Sequence, residues 1–141
     1  MTALPGVSVF MLGGTIASSA GPGEGATVRA SGDELMRRIP EAATVADVSL
    51  HAVRMVPSGD LRLRDVAGLR ARAAAAISSG ARGIVVTQGT DTLEETSYAF
   101  DLLSSLDEPV VFTGSMRNLS VPGTDAPANL LAAIRVAASP A

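Results

Sequence analysis

Short apolar runs alternate along the chain with segments whose apolar residues recur every three or four positions. The first pattern predicts buried strands, and the second predicts helices with one buried face. The predicted strands cover residues 7–12, 44–56, 83–87 and 110–113, and the predicted helices cover roughly 31–40, 64–79, 88–106 and 125–136. Because helices and strands alternate, we predict an α/β domain with a mostly parallel sheet and right-handed crossovers.

Glycines and capping residues mark several of the predicted ends. Residues 13–30 are rich in Gly, Ser and Ala, which predicts a long mobile loop after the first strand. Ser31 and Glu34 have the spacing of a capping box for a short helix that Pro40 ends. Gly80 is in position to cap the second helix at its C-terminus.

The composition favours one globular domain and excludes several chemistries. Apolar residues make up 47% and charged residues 18% of the 141 positions, far from the balance of a disordered chain. All eleven basic residues are arginine, and there is no cysteine. Without lysine there is no Walker-type phosphate loop and no Schiff-base catalysis. Without cysteine there is no disulfide, thiol nucleophile or zinc finger.

Charge and hydropathy bear on partners and location. Eleven basic and fourteen acidic side chains give a net charge of −3, which argues against nucleic acid as a partner, because such binding needs clustered positive charge. No apolar run approaches the roughly 18 residues of a membrane-spanning helix. No basic segment precedes the first apolar run, as it would in a secretory signal. We therefore expect a cytoplasmic protein that does not bind a membrane.

The loops after the four predicted strands are where function is expected, because ligands of open parallel sheets bind beyond the carboxyl ends of the strands. After the first strand, Gly13 and Gly14 allow a sharp turn that brings backbone amides close to a ligand. Thr15 projects a hydroxyl into the same space. On spacing alone, these residues are more often an ordinary turn with a capping threonine.

Several polar groups follow the third predicted strand, at residues 88–92, where a helix begins. Free N–H groups and the positive helix end favour an anionic group there, whereas Asp91 is suited to a substrate ammonium. One of Thr90, Asp91 and Thr92 is expected to cap the helix. Since one cap leaves the other polar groups unexplained, this segment favours function.

The remaining loops, 57–60 and 114–118, are each either a source of hydroxyl and backbone donors or a solvated turn. His51 lies in an alternating strand with no partner near it in sequence, so we predict a structural role. With Cys and Lys absent and His isolated, an enzyme built on this chain is expected to use a hydroxyl nucleophile, which needs activation by a base. A solvated helix face is predicted for four arginines, Arg62, Arg64, Arg70 and Arg72.

Three segments together resemble the bacterial-type L-asparaginase/glutaminase family. They read LGGTIA at 12–17, VTQGTDTLEET at 86–96 and PVVFTGSMR at 109–117, and they occur in the family's order over essentially the whole chain. The resemblance implies a three-layer α/β/α, flavodoxin-like domain. It also implies hydrolysis of L-asparagine, or of L-glutamine, to aspartate or glutamate and ammonia through a threonine acyl-enzyme, with no cofactor and no metal.

The resemblance implies a role for each matching residue. Thr15 is the expected nucleophile, and Thr90 and Asp91 are two members of an expected Thr–Asp–Lys cluster, with Asp91 also binding the substrate α-ammonium. Ser58 is expected to bind the α-carboxylate, and backbone N–H groups around Gly89 and Thr90 to stabilise the oxyanion. Further substrate-binding residues expected in these loops are Gly14, Gly59 and Ser115.

The sequence differs from the family pattern at several positions, and these differences change what we expect of residues 1–141. Residues 25–28 read GATV where the family often has a tyrosine, and Gly59 stands where many members have glutamine. The cluster's lysine and the family's smaller C-terminal domain are not among residues 1–141, which we therefore expect to be an incomplete N-terminal domain of a homo-oligomeric enzyme, a dimer or tetramer. The alternatives are an inactive fragment, a non-catalytic amino-acid-binding module and an asparaginase-like amidotransferase subunit.

Overall fold

The central element of the fold is a four-stranded parallel sheet. The computed structural model describes residues 3–19, 27–28 and 32–139. The strands are β1 Gly6–Met11, β2 Ser18–Ser19, β3 Thr27–Val28, β4 Asp47–Ala52, β5 Gly83–Thr87 and β6 Val110–Thr113. The large sheet has the order β4-β1-β5-β6 with every neighbouring pair parallel, whereas β2 and β3 form a separate antiparallel pair. This order is flavodoxin-like, as predicted.

Helices cover both faces of the large sheet. The α-helices are α1 Gly32–Arg37, α2 Leu63–Ser78, α3 Leu93–Leu103 and α4 Ala126–Ala137, and the 3-10 helices are Thr15–Ala17, Pro40–Thr44, Ser58–Asp60 and Thr90–Thr92. Residues of α1 and α4 pack on one face, and residues of α2 and α3 pack on the other. The predicted three-layer α/β/α architecture is confirmed.

β1 and Leu12, the residue after it, contribute side chains to two hydrophobic cores, one on each face of the sheet. Alternate side chains of a strand point to opposite faces. Val7, Val9 and Met11 pack with α1 and α4, whereas Phe10 and Leu12 pack with α2 and α3. All five are at most 6% exposed. Burial on both faces explains why this segment is a nearly continuous apolar run.

Most predicted elements are observed, with differences at their ends. The strands predicted at 83–87 and 110–113 have the same bounds in the structure, and α2 is displaced by one residue. Gly80 has a φ of +105° and its amide donates to the Ile77 carbonyl, so it closes α2 as predicted. The predicted strand 44–56 is too long, because its first residue closes a 3-10 helix and its last residues turn toward the end of β1.

The region predicted as one loop, residues 13–30, contains regular structure, so that prediction was wrong. Thr15–Ala17 is a 3-10 helix, and β2 pairs with β3 in the register Ser18↔Val28. Strands of two residues are too short to show a period, which is why the sequence pattern does not reveal them. Residues 20–26 and 29–30 of this loop, and Ser31 of the predicted capping box, lie outside the described residues.

The sheet order determines where a ligand crevice forms. β1 and β5 are neighbours, and the chain passes to β4 on one side of them and to β6 on the other. The carboxyl ends of β1 and β5 therefore lie at a topological switch point, where open α/β sheets bind their ligands. The loops singled out by the sequence start at this edge.

Candidate active site

The loops after β1 and β5 touch through their backbones. Gly13 and Gly14 have φ values of +104° and +80°, which L side chains rarely adopt. A Cβ on Gly14 would lie 2.6 Å from the carbonyl carbon of Gln88 and closer still to the backbone of Gly89. Only glycine permits this approach. Thr15, the next residue, begins the 3-10 helix Thr15–Ala17 and therefore lies close to Gly89.

The loop after β4 reaches the same point. The Thr92 hydroxyl donates to the Ser58 carbonyl over 3.1 Å, and a Cβ on Gly89 would lie 2.8 Å from Ser58 Oγ. Ser58 is 2% exposed, and its Oγ has no hydrogen-bond partner in the part of the chain that the structure describes. A buried hydroxyl without a partner is unfavourable, so this one is suited to a ligand that supplies the partner.

The Gln88 side chain connects the loop after β5 to α3. Its side chain is fully buried, and Nε2 donates to the Gly89 carbonyl and to Thr96 Oγ1, each over 3.2 Å. The Thr96 hydroxyl donates in turn to the Thr92 carbonyl over 2.7 Å. These bonds fix the Gly89 backbone relative to α3. Sequence does not reveal this role, because a glutamine in a polar loop carries no signal of burial.

The residues expected to cap α3 do not do so through their side chains. Thr92 stands at the N-cap position, but its hydroxyl donates to the Ser58 carbonyl. The predicted cap position is therefore observed at Thr92, but the capping hydrogen bond is not, since the Thr92 hydroxyl is directed to a carbonyl 34 residues away in sequence. Thr90 and Asp91 therefore have side chains that the helix start does not use, at its positive end.

The predicted catalytic residues lie on the two touching loops. Thr15 and Thr90 are half-buried, and each is the first residue of a 3-10 helix. Asp91 is exposed. Thr90 Oγ1 lies 3.9 Å from Met116 Sδ, which is a weak acceptor. Two hydroxyls and a carboxylate are thus available where the loops after β1 and β5 meet.

The loop after β6 packs on Thr90, whereas the Ser115 hydroxyl is engaged within its own loop. A Cβ on Gly114 would lie 2.8 Å from the Gln88 carbonyl oxygen and 2.9 Å from Thr90 Cγ2. Ser115 is 2% exposed, and its hydroxyl donates to the Arg117 carbonyl over 3.0 Å. A substrate-binding role for Ser115 stays a prediction.

Asp125 holds this same loop from the start of α4. Its carboxylate accepts from the amides of Met116 and Arg117, each over 2.9 Å, and from Asn129 Nδ2 over 3.0 Å. The backbone hydrogen bond from Met116, with that from Arg117, lowers the pKa of Asp125, because it favours the charged form. Neither Asp125 nor Asn129 is singled out by sequence, although their i,i+4 spacing is the available signal.

Other residues discussed from sequence lie elsewhere or form no site. His51, on β4, stacks on Phe10 with ring centroids 4.9 Å apart. The four arginines predicted on a helix face are exposed. Across residues 3–19, 27–28 and 32–139, no three His, Cys, Asp or Glu residues are grouped to hold a metal ion, and no helix is long and apolar enough to cross a membrane.

Known proteins match the chain over nearly all its length. Residues 6–141 match the family described as "Asparaginase, N-terminal". "L-asparaginase 2" from Bacillus subtilis is 36% identical over an alignment that covers 97% of this chain and 38% of that protein. A glutamyl-tRNA(Gln) amidotransferase subunit from Methanosarcina mazei is 35% identical, and that alignment covers 96% of this chain and 32% of that protein. The chain therefore spans well under half the length of these relatives.

A solved structure matches the fold. The crystal structure of a probable cytoplasmic L-asparaginase from Campylobacter jejuni has a TM-score of 0.89 to this chain at 30% sequence identity. The match covers 96% of this chain and 42% of that one. The fold predicted from sequence therefore has an experimentally determined counterpart.

Proposed function

The chain belongs to the asparaginase family, whose N-terminal part it matches over residues 6–141, and we propose that its site hydrolyses the side-chain amide of L-asparagine. The products are aspartate and ammonia. L-glutamine is the alternative substrate, since one methylene in a pocket changes binding by only about 1–3 kcal/mol.

The observation that carries this proposal is the buried hydroxyl of Ser58, which lies against the backbone of Gly89 and has no hydrogen-bond partner among the residues that the structure describes. A substrate α-carboxylate accepting from Ser58 supplies the missing partner. Asp91, exposed on the adjoining loop, supplies a negative charge for the α-ammonium. The two ends of an amino acid are then matched, and Thr15 is left for the side-chain amide.

In the proposed reaction, Thr15 Oγ1 attacks the amide carbon while its proton passes to a base. The carbonyl oxygen becomes an oxyanion that accepts from the backbone N–H groups of Gly89 and Thr90, at the start of a helix. Protonation of the nitrogen and cleavage of the C–N bond release ammonia and leave an ester on Thr15. Water hydrolyses this ester, which releases aspartate and returns a proton to Thr15.

Thr90 and Asp91 are proposed to move the proton together with a lysine. All eleven basic residues of the chain are arginine, so this lysine has to come from outside the 141 residues. Arginine does not replace it, because the guanidinium stays protonated in proteins. Gly14 packs closely on Gly89, so the loops that carry Thr15 and Thr90 are in contact. This contact supports proton transfer between the two residues.

The test is ammonia release from L-asparagine and L-glutamine by the protein, expressed with any sequence that its reading frame adds to these residues. We expect release by the wild type and a loss of about 100-fold or more in Thr90→Val. Thr44→Val is the matched control, because the Thr44 hydroxyl donates to Glu41 on an exposed 3-10 helix. Binding of L-asparagine by the wild type without any ammonia release would contradict the proposal.

Two further functions each have an observation in their favour. The buried Ser58 hydroxyl, which has no hydrogen-bond partner among the described residues, also favours a module that binds aspartate or asparagine without turnover. Calorimetry on the protein expressed with any sequence that its reading frame adds, with ammonia measured in parallel, identifies that case as binding without ammonia release. The 35% identity to an amidotransferase subunit favours an amidotransferase component. Ammonia release that requires an added partner protein identifies this second case.

We also propose that residues 1–141 belong to the N-terminal α/β domain of a cytoplasmic homo-oligomer, a dimer or tetramer. The Campylobacter relative, described as a probable cytoplasmic L-asparaginase, supports the location. Cell fractionation tests the location, and analytical ultracentrifugation tests the assembly. Recovery in a secreted fraction, or a monomer at high concentration, would contradict the respective part.

A further inference from the structure

Asp125 and Asn129 tie α4 to the loop that follows β6. The Asp125 carboxylate accepts from two successive backbone amides, those of Met116 and Arg117, each over 2.9 Å. Asn129 Nδ2 donates both to Asp125 Oδ2 over 3.0 Å and to the Gly114 carbonyl over 2.9 Å. Three of these hydrogen bonds connect the start of α4 to the loop, and the fourth joins the two side chains to each other.

The loop held in this way contacts Thr90 on two sides. Gly114 packs against the Thr90 methyl group, since a Cβ there would lie 2.9 Å from Thr90 Cγ2. Met116 Sδ lies 3.9 Å from the Thr90 hydroxyl. We propose that Asp125 and Asn129 are positioning residues, which fix the Thr90 side chain at the candidate active site through the loop at residues 114–117.

This role differs from ordinary helix capping. Asp125 occupies the N-cap position of α4, yet its side chain makes no capping hydrogen bond to the helix. The Thr124 hydroxyl accepts from the Ala126 amide instead, over 3.3 Å. Because the Asp125 carboxylate is bound to the loop, its loss loosens the loop more than it loosens α4.

Asp125→Asn and Asn129→Asp test the inference without requiring activity. The first presents an amide group to a backbone donor, and the second removes both side-chain donations of Asn129. In each variant we expect hydrogen exchange of the amides in 115–118 to rise about tenfold or more, and the methyl NMR signal of Thr90 to shift. Asp101→Asn, the same substitution at an exposed position on α3, leaves both unchanged. Unchanged exchange and an unshifted Thr90 signal in both loop variants overturn the inference.

The inference rests on the proposed function only for its effect on turnover, which forms a second arm of the test. We expect kcat for ammonia release to fall about 10- to 100-fold in the Asp125 variant. KM is expected to change by a smaller factor than kcat, because Ser58 and Asp91, the proposed partners of the two charged substrate groups, lie outside this loop. A kcat that falls only in proportion to the unfolded fraction in urea denaturation overturns the positioning role. Absence of turnover in the wild type overturns the proposed function instead, and the exchange and NMR results still decide the positioning role.

Discussion

Replacing Ser58 with alanine is expected to move stability and ligand affinity in opposite directions. Ser58 is 2% exposed, and its Oγ lacks a hydrogen-bond partner within the described residues. A buried polar group left unpaired costs about 1–3 kcal/mol. Since Ser58→Ala removes that group and little volume, we expect the free energy of unfolding of the ligand-free protein to rise by about 1 kcal/mol.

The same substitution removes the proposed donor to the ligand carboxylate. A hydrogen bond to a charged group contributes about 1.5–3 kcal/mol. At about 1.4 kcal/mol for each factor of ten, the affinity for L-aspartate is expected to fall about 10- to 100-fold. A rise in the free energy of unfolding together with a fall in ligand affinity indicates that the hydroxyl serves ligand binding and not stability.

Urea denaturation and titration calorimetry measure the two quantities, and two variants serve as controls. The Ser18 hydroxyl donates to the Gly14 carbonyl over 2.8 Å, so Ser18→Ala is expected to lower the free energy of unfolding by about 0.5–1.5 kcal/mol. Thr87 is 1% exposed and its Oγ1 also lacks a partner among the described residues. Thr87→Val is therefore expected to raise stability while leaving aspartate affinity unchanged.

Two results would contradict a ligand-binding role for the Ser58 hydroxyl. A loss of stability in Ser58→Ala as large as that in Ser18→Ala would mean that the Ser58 hydroxyl is already bonded in the free protein. An unchanged affinity for L-aspartate would remove Ser58 from the ligand site, whatever the change in stability.

Two other predictions concern the glycine contact and the acid stability. Gly14→Ala is expected to lower the free energy of unfolding by about 3 kcal/mol, because a Cβ overlaps the Gly89 backbone and the φ of Gly14 is +80°. The control is Gly68→Ala on α2, where the space around the glycine is open. This substitution is expected to raise the free energy of unfolding by about 0.5–1 kcal/mol. An equal effect of the two in urea denaturation would contradict the contact. The pKa of Asp125 lies below its ordinary value of 3.8, so its stabilisation is present above the unfolded-state pKa and is lost as pH falls through the folded-state pKa. The Tm of Asp125→Asn should therefore fall less than that of the wild type between about pH 5 and pH 2. An equal fall in the Tm of both proteins over this pH range would contradict the prediction.

The fold follows from local patterns that the sequence shows directly. After its first residue, Gly83, β5 is a β-branched run, and β6 is a β-branched and aromatic run that follows Pro109; the structure has both strands at the predicted bounds. Gly80 ends α2 because its φ of +105° suits glycine, a preference that belongs to the residue itself. Such features depend on neighbours in sequence, so they can be predicted from it.

The site depends on contacts between distant segments, and there the sequence is less informative. Thr92 stands at the predicted N-cap position, but its hydroxyl donates to the Ser58 carbonyl 34 residues away, which local sequence does not indicate. Asp125 looks like the start of a helix, but its partners are amides eight and nine residues earlier. Gln88 is fully buried in a loop whose neighbours are polar. Motifs identify which loops carry chemistry, whereas tertiary contacts decide which residues support it.

In the proposed mechanism Thr15 carries the acyl group, and the decisive comparison is ammonia release from L-asparagine by the wild type and by Thr15→Ala. The two proteins are compared at equal folded fraction, checked by urea denaturation. Both proteins are expressed with any sequence that the reading frame adds to the 141 residues, and we predict measurable release by the wild type and a decrease of about 1,000-fold or more in the variant. Unchanged turnover in Thr15→Ala would contradict the account.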